Sequence, residues 1–473
     1  MFNNKNNITN VSPESGGKMR INTRGLFFCL LLFGFCLAAN AQTINLEQAR
    51  LLALASSQSL ARYETQIQSS LLTEQNHLYS MIPQLSASYS ASMSFLQRNP
   101  QTQDTEFVNP FDNLTAGLSV TLSQVLFQGG KLFLQKAINS IQTESIRNNA
   151  LAEYFKVLDT VDRAYYAVLE AAAAYESTLS SLEGTNMALS YAEVRFQNGI
   201  IDQNQYRTAL LQKERDENNR SQRQRALALN MTALRELIGV TGAIELEPVS
   251  FDEYEDVLKR LAVISNEEAD ILFDDLWSLL VSSNPSITNA ALNSRRAELN
   301  YSSIARDYAP TINLSLSSNL FSYSPAGGFT GPSGSGSVSI RGTIPLDFWV
   351  LSNKIERERI SRDSTLNEYG NTQKSLESEL ISALYNIFSQ AGSVLYLRRS
   401  LEINESSYAS VFERYRLSQS SVRDLMDEST RLIESQNSLN SASFTFLRNL
   451  STLRTLCALD DEEKLIKILL GTL

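Results

Sequence analysis

The chain has 473 residues, which is enough for two or three ordinary domains. Its 41 Lys and Arg residues against 51 Asp and Glu residues give a formal net charge of -10 at pH 7, and this acidic balance disfavours a nucleic-acid-binding protein. The mixed charges and the 43% of hydrophobic residues disfavour an intrinsically disordered chain.

Residues 1–41 have the composition of a leader and a signal peptide for export. Arg20 and Arg24 form a basic start, and residues 26–37 form an apolar run that is too short to cross a bilayer. Residues 39–41 are Ala-Asn-Ala, a small-x-small cleavage site, so we expect the mature chain to begin at Gln42. An uncleaved anchor helix is the alternative, and the length of the run argues against it.

Few side chains are suited to catalysis or to metal binding. His77 is the only histidine, which excludes a His-rich metal site, and with a single cysteine left after the expected signal it also excludes a Cys–His zinc site. Cys29 and Cys36 lie in the expected signal, so the mature chain keeps only Cys457 and forms no intramolecular disulfide. Lipidation of Cys36 is disfavoured because Phe35 stands where a lipobox has Gly or Ala. We therefore expect no enzymatic activity, no cofactor and no metal site.

The mature chain contains an internal repeat. Residues 54–92 align with residues 281–319, and residues 191–237 align with residues 410–456, which are 219 positions further on. Each half is predicted to contain a helix, two strands, a long helix, a turn and a further helix. The predicted parts after the signal are a first repeat at 42–249, an acidic equatorial insert at 250–274, a second repeat at 275–458 and a C-terminal tail at 459–473.

Four segments alternate apolar residues with small polar ones, which predicts strands with one apolar and one polar face. Around Leu85, Ala87 and Tyr89, for example, every second residue is Ser. Each segment has about ten residues, the length that a tilted strand needs to cross a bilayer. The predicted strands cover about 84–96, 114–127, 311–322 and 337–347.

The sequence also indicates how these strands are joined and closed. Residues 96–113 and 322–337 are predicted to be long exposed loops because they are rich in Pro, Gly, Ser and amides. Four strands do not close a barrel, and open sheet edges are not tolerated in lipid, so closure requires further copies of the chain. Two copies would supply eight strands and three would supply twelve, and the small polar face favours the wider barrel.

Two helices are predicted to be much longer than those of compact domains. The first covers about 131–197 and the second about 352–417, and about 67 residues at 1.5 Å per residue span about 100 Å. Apolar residues recur in the first at spacings of three and four, which is typical of a coiled-coil seam. A surface or periplasmic coiled-coil structural protein is therefore the alternative interpretation.

Shorter helices are expected at about 44–82, 203–239 and 421–457. Stacked end to end, two of them would match one long helix, so that each repeat would supply one continuous and one interrupted column. The interruptions, the acidic insert and the tail are expected to gather near mid-height. After residue 41 no stretch is predicted to be a membrane-spanning helix.

The ordered duplication resembles the TolC-like family of outer-membrane efflux proteins over nearly all of the mature chain. Three segments carry the resemblance: Leu-Phe-Gln-Gly-Gly at 126–130, Arg-Phe-Gln-Asn-Gly at 195–199 and Leu-Arg-Glu-Leu-Ile-Gly at 234–239. It implies a mainly α, α+β fold, with an internally duplicated long-helix α-barrel and four strands that contribute to a trimeric, 12-stranded transmembrane β-barrel.

The resemblance further implies a function and partners. The homotrimer would sit in outer-membrane lipid, extend into the periplasm, and serve as a passive exit duct in a tripartite efflux or type I secretion system. Its partners would be a periplasmic adaptor (membrane fusion) protein and an inner-membrane RND or ABC pump.

In that family the turns after the two long helices form the periplasmic tips, where the channel closes. The residues implied for this tip and gate are Arg195, Phe196, Gly199, Arg414, Tyr415 and Ser418. Gly199 suits the left-handed conformation of a helix end, whereas Ser418 at the equivalent position makes the match imperfect there.

Asp424 and Asp427 follow the second turn and are three residues apart, so they share one helix face. In the family, acidic residues at the matching positions ring the pore entrance. Three copies would then place these carboxylates near the axis as a pore constriction that attracts cations. An ordinary solvated helix face is the alternative interpretation.

Overall fold

The computed structural model of the protein describes residues 42–98, 105–107, 109–331 and 336–471. The expected signal at 1–41 lies outside these residues. The first half of the chain contains β1 (Gln42–Ile44), α1 (Leu46–Ser56), α2 (Gln58–Tyr79), β2 (Gln84–Ser92), β3 (Leu96–Arg98), β4 (Thr105–Phe107), β5 (Thr115–Gln128), α3 (Lys131–Gln197), α4 (Gln203–Ile238) and β6 (Ile244–Leu246). The second half contains α5 (Glu255–Ala262), α6 (Asn266–Ser283), α7 (Pro285–Ala305), β7 (Thr311–Ser324), β8 (Gly328–Thr330), β9 (Gly336–Thr343), α8 (Phe348–Arg416), α9 (Val422–Leu456) and α10 (Glu462–Leu469).

The fold class expected from the sequence is confirmed: the chain is mainly helical, with two long helices and one small sheet. Helix α3 has 67 residues and helix α8 has 69. At 1.5 Å per residue each spans about 100 Å. Helix α3 buries Leu158, Val161 and Val168 at heptad-compatible spacing, and each such side chain contributes roughly 1.5–3 kcal/mol relative to exposure.

The sheet is antiparallel and joins the two repeats in the order β2-β5-β7-β9. Most pairs between β2 and β5 and between β7 and β9 match apolar with apolar and small polar with small polar residues, whereas the register between β5 and β7 shifts at two places. Leu85 lies opposite Leu122 and Ser86 opposite Thr121 in the first hairpin. The alternation therefore places one apolar and one small polar face on the sheet. Among the described residues, β2 pairs with β5 alone and β9 with β7 alone, so both edges of the sheet are open.

The ends of the strands differ from their expected positions. Strand β9 ends at Thr343 rather than at 347, because Pro345 has no N–H to donate to the ladder, and α8 begins at Phe348 rather than at 352. Strand β2 ends at Ser92 rather than at 96. The two expected loops carry short strands: β3 pairs with β4, and β8 extends the hairpin with β7.

The glycine pair before α3 is required by the backbone and by a close neighbour. Gly129 and Gly130 have φ of 59° and 77°, in the left-handed region. A Cβ added to Gly129 would lie 2.6 Å from the Cβ of Ala309. The first strand-to-helix exit therefore depends on glycine, which explains part of the Leu-Phe-Gln-Gly-Gly segment.

The expected helix at 44–82 is two helices, because Ser57 has extended backbone and its side chain caps α2. Ser56 at the end of α1 donates a hydrogen bond to the carbonyl of Leu237 at 2.9 Å, so α4 ends beside this break. The second repeat has the same junction: the side chain of Asn284, the N-cap of α7, donates to the carbonyl of Leu456 at 2.8 Å. Each repeat thus has an interrupted column beside its continuous helix.

The insert and the tail, for which the sequence predicted no helices of their own, form α5, the start of α6 and α10. They pack near these junctions through an apolar set that includes Val257, Leu258, Leu261, Leu465 and Leu469. Helix α8 also contains an 18-residue window with a mean hydropathy of 1.2, long and apolar enough to cross a membrane by composition. The expectation of no such stretch was wrong. Only 28% of this window is buried within the chain.

A buried ionic cluster ties these elements together. The Asp162 carboxylate on α3 has no exposed side-chain surface and accepts hydrogen bonds from Arg50 at 2.6 and 2.8 Å and from Arg454 at 2.9 Å. Ser451 donates a further bond to it at 2.6 Å. Arg50 also reaches Glu462 of α10 at 3.3 Å. Burial lowers and the contact with Asp162 raises the pKa of Arg50, and the net result is a raised value.

Candidate functional site

The turns after α3 and α8 have the same backbone geometry. Gly199 and Ser418 both lie in the left-handed region, with φ of 70° and 63°. The Gly199 amide donates to the Phe196 carbonyl at 3.0 Å, and the Ser418 amide donates to the Tyr415 carbonyl at 3.0 Å. Both helices therefore end in the same capping motif, in which a left-handed residue closes the last turn. Ser418 therefore differs from Gly199 in residue type, as the sequence indicated, but has the same backbone conformation.

The helices that follow the turns begin differently. Asp202 caps α4 by accepting the amide of Gln205 at 2.8 Å. Ser421 caps α9 as part of a reciprocal pair with Asp424: the Ser421 hydroxyl accepts the Asp424 amide at 3.2 Å, and the Asp424 carboxylate accepts the Ser421 amide at 3.0 Å. Each turn thus carries an exposed carboxylate in its cap: Asp202 is itself the N-cap residue after the first turn, whereas Asp424 is the third residue of the helix after the second.

One contact joins the two turns within the chain. The Arg195 guanidinium, which is 8% exposed, donates to the backbone carbonyl of Tyr415 and lies 4.2 Å from the centroid of its ring. The Tyr415 hydroxyl donates to the carbonyl of Ala188 at 3.1 Å. Burial raises the pKa of Tyr415, so this hydroxyl keeps its proton.

An apolar cluster surrounds that contact and fixes its position. Tyr191 packs edge-on against Tyr415, with the ring centroids 6.4 Å apart. The buried members of the cluster are Ala188, Ala192, Ala209, Val411, Tyr415, Val422 and Leu425. All four helices that meet at the turns contribute to this set. Tyr191 was not among the residues predicted from the sequence, although aromatic residues recur on both long helices close to the turns.

The other two predicted turn residues, Phe196 and Arg414, stay on the surface of the chain. Phe196 is 38% exposed and stacks on Tyr206, with the ring centroids 5.1 Å apart. Arg414 is exposed one residue before the buried Tyr415. The structure therefore brings Arg195 and Tyr415 together and leaves Phe196 and Arg414 apart from that contact.

Both predicted pore carboxylates, Asp424 and Asp427, are exposed. The amide and then the hydroxyl of Ser421, with a smaller contribution from the hydroxyl of Ser420, lower the pKa of Asp424, so this carboxylate is ionised at neutral pH. The capping role of Asp424 was not predicted from the sequence, although the Ser-x-x-acid spacing indicates it. Exposed carboxylates on one helix face attract cations when several copies converge.

A buried carboxylate above the first turn was not predicted either. Asp216 on α4 is 4% exposed and accepts hydrogen bonds from Thr185 at 2.6 Å and from Gln212 at 3.1 Å. Burial raises the pKa of Asp216, and these hydrogen bonds oppose the shift. Within the described ranges, no group of three or more His, Cys, Asp or Glu side chains is arranged to hold a metal ion.

Comparison with known proteins relates this architecture to a family and a fold. The family model for outer membrane efflux proteins matches residues 276–458. A membrane protein from Pseudomonas aeruginosa has a TM-score of 0.72 at 18% identity, over 88% of this chain and 91% of that one. The outer membrane protein VceC from Vibrio cholerae has a TM-score of 0.70 at 15% identity, over 87% of this chain and 96% of that one.

The structural similarity extends over both repeats. The CmeC outer membrane channel from Campylobacter jejuni has a TM-score of 0.70 at 14% identity, over 97% of each chain. No curated protein sequence matches the chain. The chain therefore has the fold of these outer membrane proteins, and its second repeat, at 276–458, matches the family model for outer membrane efflux proteins.

Proposed function

We propose that this chain is one third of a passive, homotrimeric exit duct in the outer membrane. The observation that carries the proposal is a sheet whose four longer strands, β2, β5, β7 and β9, leave two open edges and join helices of about 100 Å. In lipid an unpaired edge leaves backbone N–H and C=O groups without partners, at a cost of several kcal/mol per group. Edge β9 of one copy then pairs with edge β2 of the next, and three copies close a barrel of twelve strands.

The two faces of the sheet suit this arrangement. Leu85, Tyr89, Val338 and Ile340 are each about 70% exposed in the single chain. On a soluble protein an exposed apolar patch of this kind would promote aggregation, whereas in a membrane it would contact the apolar acyl chains of the lipid. The opposite face carries Ser and Thr, which suit a wide, water-filled lumen. A coiled-coil structural protein, the alternative, has no use for amphipathic strands of bilayer length.

The helices continue the duct across the periplasm. The turns at Gly199 and Ser418 would form its periplasmic end, where it would dock on an adaptor protein and an inner-membrane pump that supplies the energy. Arg195, Phe196, Arg414 and Tyr415 would hold that end in its closed state. Asp424 and Asp427 of three copies would then ring the constriction, without chemistry and without a cofactor.

Cell fractionation tests the proposal. The protein is expected in the outer-membrane fraction and should run as a trimer on a gel until the sample is heated. Purified protein should insert channels into a planar bilayer. A soluble periplasmic monomer would refute the duct.

The pore assignment has a separate test. Replacing Asp424 and Asp427 with Asn should weaken the block of single-channel current by multivalent cations, whereas replacing the exposed Glu413 with Gln should leave the block unchanged. Equal block in all three proteins would place the two aspartates away from the constriction.

A further inference from the structure

The internal repeat contains a second pair of residues equivalent to Arg195 and Tyr415, but the two members of that pair do not contact each other within one chain. The repeat places Arg414 at the position of Arg195 and Phe196 at the position of Tyr415. Arg195 and Tyr415 are buried against each other, whereas Arg414 and Phe196 are both exposed. One of two equivalent pairs is therefore joined inside the chain, and the two members of the other lie open on its surface.

The backbone presents Phe196 as it presents Tyr415. Each residue lies in the last turn of its long helix, and its carbonyl accepts one amide of the following turn at 3.0 Å. The left-handed residue closing each turn has nearly the same φ, 70° after Phe196 and 63° after Tyr415. The Phe196 carbonyl thus lies in the same backbone geometry as the Tyr415 carbonyl that serves Arg195, and the Phe196 ring, which stacks on Tyr206, stays 38% exposed.

The packing order shows which neighbour that is. Within the chain α3 packs against α4 on one side and α9 on the other, and α9 packs against α8. Arg195 bridges from the first helix pair to the second. In a closed ring of copies the second pair meets the first pair of the next chain, so Arg414 faces Phe196 across the boundary between chains.

We propose that Arg414 of each chain binds Phe196 of the next, with the guanidinium over the ring and an N–H donated to the backbone carbonyl. This inference rests on the trimer proposed above. The interaction is the one observed for Arg195, a cation over an aromatic ring combined with a hydrogen bond to a carbonyl at a helix end. The occupant of the exposed Phe196 face is therefore a second copy of this chain.

The contact between chains is the weaker of the two. Tyr415 donates its hydroxyl to Ala188, and phenylalanine has no hydroxyl to repeat that bond. Tyr191 packs on Tyr415, and the residue equivalent to Tyr191 is Ser410. Arg414 also lies close enough to Asp424 to contribute to its lowered pKa, so this carboxylate competes for the guanidinium. The turns should therefore separate between chains before they separate within one.

Cysteine cross-linking tests the contact directly. The variant Arg414→Cys with Phe196→Cys, treated with a short thiol-reactive cross-linker, should give covalent dimers and trimers on a denaturing gel. The matched variant Arg195→Cys with Tyr415→Cys should cross-link only within monomers. Cys457 is buried and gives little background. Cross-linking of the first pair inside single chains, or none in a protein that is otherwise trimeric, overturns the contact and leaves the duct standing. A monomeric protein overturns the duct itself.

A functional measurement covers the case in which the cysteine variants fold poorly. Arg414→Ala should raise the mean basal current of reconstituted channels by roughly two- to fivefold, the change in an equilibrium expected from losing one exposed cation–π contact. Arg416→Ala removes an exposed arginine of the same turn, paired with Glu413 at 2.8 Å, and should leave the current unchanged. Phe196→Tyr should lower it, because the new hydroxyl can reach the carbonyl equivalent to that of Ala188. Equal currents in the wild type and Arg414→Ala would contradict the proposal.

Discussion

Replacing Asp162 with Ala should be among the most destabilising single changes outside the sheet. The carboxylate is fully buried and accepts bonds from Arg50, Ser451 and Arg454. The Arg454 side chain is 1% exposed and that of Arg50 is 13% exposed, so neither guanidinium can turn to bulk water when the carboxylate is removed. Breaking a buried ion pair by removing one partner costs about 3–5 kcal/mol.

The matched control lies one helical turn away. Asp159 pairs with Arg163 on the surface of the same helix at 2.7 Å, and such a pair contributes about 0.3–0.5 kcal/mol. Urea unfolding followed by the helical circular dichroism signal should therefore show a several-fold larger loss for Asp162→Ala than for Asp159→Ala. Equal losses in the two variants would refute the argument.

A second variant tests the stated cause, which is the unpaired charge. If the cost comes from buried guanidinium groups that have lost the Asp162 carboxylate, the triple variant Asp162→Leu, Arg50→Met and Arg454→Met should recover most of the lost stability, because apolar residues of similar volume often replace a buried ionic cluster without loss. No recovery in the triple variant would point to packing around Asp162 instead.

Two further predictions concern the turn region and use thermal unfolding of the purified protein. Burial raises the pKa of Asp216, so the native state binds the carboxyl proton more tightly than the unfolded chain does, and the protonated carboxyl contributes its full stability below the ordinary pKa of 3.8. That contribution is lost as the pH rises through the native pKa, so the stability gained by Asp216→Asn should grow from pH 4 to pH 8. A gain that stays constant with pH would contradict the burial argument. Ser418→Gly should stabilise by about 1 kcal/mol because it relieves the left-handed backbone at φ 63°, Gly199→Ala should destabilise by a similar amount, and stabilisation by Gly199→Ala would be inconsistent with the shared turn geometry.

The sequence predicted the fold class because its main signals are local. The alternation around Leu85 and Tyr89 indicates a strand with two different faces, and the absence of proline from 131 to 239 permits a helix of 67 residues. The aligned repeats then set the order of the elements. The early end of β9 could also have been predicted from the sequence, because Pro345 has no N–H to donate to the ladder.

The site was less accessible because its contacts join residues far apart in the chain. Arg195 and Tyr415 were both implied by the family resemblance, but nothing in the sequence indicates that one binds the other across 220 positions. The burial of Asp162 and Asp216 depends in the same way on packing between helices. Short helices such as α10 were missed because eight residues carry too little periodicity to be recognised.

Cross-linking of the sheet edges tests the central claim, that one chain is a third of a closed wall. Variants with one cysteine in β2 and one in β9, for example Ser88→Cys with Ser339→Cys, should form disulfides between chains in outer-membrane fractions. The two strands lie at opposite edges of the described sheet, so a disulfide between them joins two chains. A wall closed by three chains should give a ladder of cross-linked species that ends at three chains. A ladder that ends at two chains, or cross-links confined to single chains, would contradict it.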